Sequence, residues 1–130
     1  MDVVQHDRFA LHGRKLGVTI CEDIWTDATV VPRRLYHRDP VEELVRAGAE
    51  LIVNISASPF ALGKGAVRRE LTRHHAIRHQ RWVVYANQVG GNDELIFDGG
   101  SCVVGADGRV LAQARAFAED LLLFDTDEKT

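Results

Sequence analysis

The chain has 130 residues, is 45% hydrophobic and carries a net charge of −3, which suits one packed domain or part of one. That charge gives no reason to expect nucleic acid or an anionic membrane as partner, and no apolar run approaches the roughly 18 residues of a membrane span. Two cysteines are too few for a disulfide scaffold, and the start MDVVQHDRFA has neither the basic region nor the long apolar centre of a secretion signal, so a reducing, cytoplasmic compartment is expected.

In chain order, RFALHGRKLGVTI predicts two strands, 8–11 and 16–20, joined by a turn at His12-Gly13-Arg14-Lys15. The stretch TDATVVPRRLYHRDP is irregular. Pro40 then suits a helix first turn, Val41, Leu44 and Val45 share one face, and Gly48 stops the helix. LIVNIS is a short continuous apolar run, as expected of a strand covered on both faces, and ASPFALGKG is a loop. From Lys64 to Arg81 the pattern predicts a helix whose arc holds Ala66, Val67, Leu71 and Ile77, with Glu70 and His74 inside it. WVVYANQ is the next buried strand, and VGGNDELIFDGG reads as a glycine-punctuated loop. SCVVGADGRVLAQA predicts two strands around Ala-Asp-Gly, and DLLLFDTD a last strand before a charged tail. Strands alternating with helices imply a layered α/β fold, and the final all-β run implies a mixed sheet.

Functional groups in open α/β sheets gather beyond the carboxyl ends of strands, which is where Cys21 falls. A thiol there is a candidate nucleophile if a base and a cation activate it, and the N–H groups that follow could face an oxyanion. The plain alternative is a cysteine packing as a small hydrophobe. Asn54, Ser56 and Ser58 follow the next strand, and Tyr85, Asn87 and Gln88 the one after. Each alone reads as a turn or cap residue, but three strands delivering polar groups to one edge suggest a shared site.

Other signals are blander. His74, His75 and His79 lie on one helix without an accompanying acidic motif, which favours a solvated or interfacial face over a metal site. Arg68, Arg69, Arg73, Arg78 and Arg81 make that helix basic, but without interleaved aromatics a solvated face or subunit contact is the better reading. Cys102 lies mid-strand and suits the core, and Lys64 taken alone is an ordinary loop lysine.

The stretches GVTICEDIW, VNISASPFALGKGAVRRE, VVYANQVGGNDELIFDGGS and GADGRVLAQA closely resemble the nitrilase (carbon–nitrogen hydrolase) superfamily. Within it they look most like the glutaminase domains of glutamine-dependent NAD⁺ synthetases, over about residues 8–127. The resemblance implies an α-β-β-α sandwich and a Glu–Lys–Cys triad: a general base, an oxyanion-stabilising lysine and a cysteine that forms a glutamyl thioester. It implies that Cys21 is the nucleophile, that the Glu22 backbone N–H is an oxyanion donor, and that Ser58 and Lys64 hold L-glutamine, with Trp25 and the 90–99 loop lining the pocket. The family's base and lysine lie well upstream of the cysteine, whereas only 20 residues precede Cys21 here, and Lys15, Glu22 and Asp23 stand in the wrong context to replace them.

No Ser-Gly-Gly-x-Asp-Ser pyrophosphate loop occurs, so the ATP and Mg²⁺ of the parent reaction belong to a synthetase domain outside this sequence, and no cofactor is expected in the chain itself. The expectation is therefore the C-terminal half of a glutaminase domain, self-associating through a sheet face or edge that the absent strands would cover. Two rivals remain, another nitrilase-type amidase and a non-catalytic remnant serving as an interaction module.

Overall fold

The computed structural model describes residues 8–11, 14–24 and 39–125. The expected turn at His12-Gly13, the irregular stretch before Asp39, Trp25 and the charged tail after Asp125 lie outside the described residues. The elements run β1 (Arg8–Leu11), β2 (Arg14–Ile20), a 3₁₀ turn (Cys21–Ile24), α1 (Pro40–Arg46), β3 (Leu51–Ser56), α2 (Lys64–His79), β4 (Trp82–Asn87), β5 (Val89–Asn92), β6 (Leu95–Asp98), β7 (Cys102–Val104) and β8 (Val110–Gln113). Lys15 thus lies inside β2 rather than in the turn before it.

Six strands form one sheet in the order β1-β2-β3-β4-β7-β8. The central β2, β3 and β4 are parallel, and β1, β7 and β8 pair antiparallel, so the sheet is mixed as expected. Both crossover helices lie on one face, where Val41 and Leu44 of α1 and Leu71 and Ala76 of α2 meet Ile52, Val83, Tyr85, Cys102 and Val104 in a single core. This is one α layer on one β layer of a sandwich. Among the described residues, the other face of LIVNIS is not covered: Leu51 and Val53 are half-buried and Ile55 is exposed.

Local chemistry explains the boundaries. The Asp39 carboxylate accepts the Val41 and Glu42 N–H groups at 3.1 and 3.2 Å and caps α1, Pro40 starts it, and Glu42, Glu43 and Arg46 suit the ends of its dipole. The chain leaves α1 through Gly48 at φ 102°, a left-handed conformation that costs glycine little. Gly108 in the β7–β8 turn has φ 85°, where a residue with a Cβ would be strained, and a Cβ there would also push the exposed Ile77 side chain aside.

Three sequence expectations change. The buried face of α2 is Arg68, Leu71, Thr72, His75 and Ala76, while Ala66, Val67, Glu70 and Ile77 are exposed. Positions i, i+3, i+4, i+7 and i+8 do form one stripe, but three of its five members are polar, so an apolar arc was the wrong guide. The stretch 89–98 is a hairpin, with Val89 opposite Asp98 and Asn92 opposite Leu95, rather than a loop. Its glycines hid the pairing because they lack the alternating side chains that mark a strand. The apolar run at 121–125 is not a strand: Leu121 and Leu123 are exposed and only the Phe124 ring finds an aromatic neighbour, Trp82, at 6.2 Å.

Candidate active site

The register of the parallel strands builds one edge. Thr19, Asn54 and Tyr85 are cross-strand neighbours on the covered face, and Ile20, Ile55 and Ala86 form the next row. One residue further on come Cys21, Ser56 and Asn87, at the carboxyl ends of β2, β3 and β4. The three polar strand ends singled out in the sequence are therefore brought to one edge, because β2, β3 and β4 lie side by side in the sheet and run parallel.

Cys21 is half-buried and has φ 49°, the left-handed region, where a residue with a Cβ bears roughly 1–3 kcal/mol of strain. Such strain persists only where the surroundings enforce it, and four side chains do so. The Asp23 carboxylate accepts the Ile20 N–H at 2.8 Å. The Asn54 Nδ2 donates to the Cys21 carbonyl at 3.2 Å and to Thr19 Oγ1 at 2.9 Å, and Ser56 Oγ donates to Asn54 Oδ1 at 2.6 Å. The His75 Nε2 lies 2.7 Å from the Ile24 carbonyl, so as a donor it ties α2 to the 3₁₀ turn. His75 is fully buried and its ring stacks on that of His79 at 6.0 Å, so of the solvated or interfacial face expected for these histidines, His75 at least belongs to an internal packing surface.

Ser58 lies just beyond β3. Its N–H donates to Asn87 Oδ1 at 2.9 Å, and Asn87 Nδ2 donates to the Gly99 carbonyl at 2.9 Å. Arg68 holds the same loop from the other side: Nε donates to Ser58 Oγ at 3.1 Å, and NH2 donates to the Ser58 and Pro59 carbonyls at 3.0 and 2.7 Å. Its NH1 lies 2.7 Å from both Asp98 oxygens, in a buried ion pair. The Phe60 N–H donates to the Ile96 carbonyl at 2.7 Å, which joins the loop to the β5–β6 hairpin. Sequence reading named Arg68 only as part of a basic helix and Asp98 only within the 90–99 loop, and missed their pairing. The sequence carried no signal for it, since the spacing of Arg68 to Leu71, Thr72, His75 and Ala76 marks a buried stripe only once their burial is known.

Lys64 opens α2 at the end of the loop that carries Ser58. The Glu22 backbone lies in the 3₁₀ turn directly after Cys21. Trp25 lies outside the described residues. Beneath the edge, burial pushes the Tyr85 phenol up from its ordinary value, and the Ser56 hydroxyl, the Arg68 charge and the Ser58 hydroxyl pull it back. The other cysteine, Cys102, is buried, and burial pushes its thiol up to about 11 against the opposing pull of Arg69. A thiol so placed is almost wholly protonated at neutral pH, whereas Cys21 is half-buried at the strand-end edge.

A carbon-nitrogen hydrolase family model matches residues 2–130. The chain is 45% identical over 113 residues to a glutamine-dependent NAD(+) synthetase of Synechocystis sp., a match spanning 87% of this chain and 20% of that protein. It is 40% identical over 114 residues to the enzyme of the same name from Thermotoga maritima, spanning 87% of this chain and 18% of the relative. The chain thus spans about a fifth of the length of these relatives. Among solved structures, the glutamine-dependent NAD+ synthetase of Acinetobacter baumannii in complex with ADP superposes with TM-score 0.79 at 37% identity, covering 95% of this chain and 22% of that one. An amidase from Nesterenkonia sp. superposes with TM-score 0.66 at 26% identity, covering 83% and 36% respectively.

Proposed function

Because the chain belongs to the carbon–nitrogen hydrolase family, we propose that it carries the nucleophile half of a glutaminase that serves a glutamine-dependent NAD⁺ synthetase. The observation that carries this reading is Cys21 in a strained, side-chain-braced turn at the edge shared by three parallel strands. Cys21 attacks the side-chain amide carbonyl of L-glutamine, and the Glu22 N–H takes part of the charge on the oxygen. Ammonia leaves, and water releases glutamate from the thioester. Ser58 and Lys64 hold the amino-acid end of the substrate. The ammonia is used elsewhere in the parent protein, in an ATP- and Mg²⁺-dependent amidation of nicotinate adenine dinucleotide. The sequence has no pyrophosphate loop for that second reaction, which this reading assigns to the rest of the parent protein.

The implied base and lysine are not supplied by residues 1–20. No glutamate precedes Cys21, and the one lysine, Lys15, lies six residues earlier on β2, about 20 Å away along an extended strand. The chain alone is therefore a poor glutaminase. Its exposed sheet face takes the second β layer of the sandwich or, without it, another copy of the chain, which makes a homo-oligomer the expected species. No described helix is long and apolar enough to cross a membrane, and a cytoplasmic setting suits a reduced thiol.

The test is glutamate release from glutamine by residues 1–130, with and without an added fragment from a relative that carries the upstream Glu and Lys strands. Turnover only with the fragment, lost in Cys21→Ala, is expected. Robust turnover by the chain alone would mean that local groups replace the triad. The likeness to the Nesterenkonia amidase supports a second reading, and preference for simple aliphatic amides over glutamine in the same assay would favour it.

A further inference from the structure

Asn54 is a fully buried amide in the middle of an apolar strand, LIVNIS, and needs a reason to be there. Its polar atoms are engaged: Nδ2 donates to Thr19 Oγ1 and to the Cys21 carbonyl, and Oδ1 accepts from Ser56 Oγ. The Cys21 carbonyl can only accept, which decides the orientation of the amide, because a flipped Asn54 would set oxygen against oxygen. The Cys21–Glu22 peptide is trans and planar, so the Cys21 C=O and the Glu22 N–H lie in one plane and point in opposite directions. A side chain that holds the oxygen therefore aims the hydrogen.

We propose that Asn54 is a positioning residue for the oxyanion donor: by gripping the Cys21 carbonyl from the covered face of the sheet, it holds the Glu22 N–H on the far side of the same peptide unit. The proposal rests on the reading of Cys21 as the nucleophile. Asp23 and His75 brace the flanks of the turn at Ile20 and Ile24, whereas Asn54 grips the peptide unit between the nucleophile and the donor itself. Ser56 acts one step back, by fixing the Asn54 amide.

Two single-turnover reactions of the 130-residue chain separate aim from mere structure. With p-nitrophenyl acetate the Cys21 sulfur bonds to the acyl carbon, the carbonyl oxygen carries the charge of the tetrahedral intermediate, p-nitrophenolate leaves with the C–O bonding pair, and the thiol proton passes to buffer. With iodoacetamide the sulfur displaces iodide from a CH₂ group and no oxyanion forms. Asn54→Ala should slow acylation about 10–10²-fold and leave alkylation within about threefold, and Ser56→Ala should shift acylation the same way by less. Circular dichroism and Tm check that each variant folds, and Ser56→Ala serves should Asn54→Ala fail to fold. Equal losses in both reactions, or unchanged acylation in a folded variant, overturn the proposal. Wild-type acylation no faster than that of Cys21→Ala overturns the nucleophile reading, and the proposal with it.

Discussion

On one face of the six-stranded sheet Thr19, Ile52, Asn54, Val83 and Tyr85 lie buried beneath α1 and α2; on the other, Ile20 and Ile55 keep 44% and 54% of their surface exposed. The strands' polar residues sit among the core on the covered face. The covered face holds Thr19, Asn54 and Ser56, all paired, while the open face shows Leu16, Val18, Ile20, Val53, Ile55, Val84 and Ala86. A covered polar row is retained where it supports something, here the turn that bears Cys21. Among the described residues the apolar face is only half-buried or exposed, which is what the proposed second β layer or a second copy of the chain would cover.

The sharpest way to break this contrast is at Arg68, the most heavily engaged side chain of the covered side. Arg68→Ala leaves Asp98 buried without its cation and frees the Ser58 loop, and should cost about 3–5 kcal/mol in urea unfolding. A loss like that of an ordinary surface substitution would show that the clamp is ornamental. Next come the two isoleucines of β3. Ile52→Ala should cost about 2–5 kcal/mol, and Ile55→Ala in the same chain less than about 0.5 kcal/mol. Sedimentation sharpens the point, because Ile55→Lys should turn a self-associating chain into a monomer. Wild-type chain that sediments as a clean monomer at micromolar concentration would count against an open face in need of cover.

The two cysteines repeat the contrast on a smaller scale. Under mild native alkylation Cys102, buried and with its thiol raised to about 11, should react at least about 10²-fold more slowly than Cys21, as read by mass spectrometry. Preferential labelling of Cys102 would reverse the assignment. The smallest effect belongs to His79. Burial, with the charge of His75 and then Arg78, holds its pKa below the ordinary 6.5 against the opposing pull of Asp39 and Glu42. The unfolded chain therefore binds this proton more readily, so stability rises with pH between the lowered native value and 6.5 and is flat above it. His79→Gln should remove that part of the slope, and an unchanged slope would assign it to other groups.

Much of this was legible in the residues. Leu16–Ile20, LIVNIS and WVVYAN are short apolar runs, Pro40 and Gly48 bracket a helix, and Ala-Asp-Gly makes a turn, because local sterics and hydrophobic patterning act over a few neighbours. The resemblance carried by CEDIW and SASPFALGK, and with it the family, was likewise open to reading from the sequence. Only the tertiary structure decided which face of α2 is inside. Arg68 and His75 are polar by type, and nothing nearby in sequence announces Asp98, thirty residues on, or the Ile24 carbonyl, 51 residues back. Burial of a charge or an imidazole depends on whether a partner arrives from elsewhere in the chain. The same holds for Asn54: its residue type suggested a strand-end site group, but its grip on the Cys21 carbonyl exists only because β2 and β3 pair in the register that sets Thr19 beside Asn54.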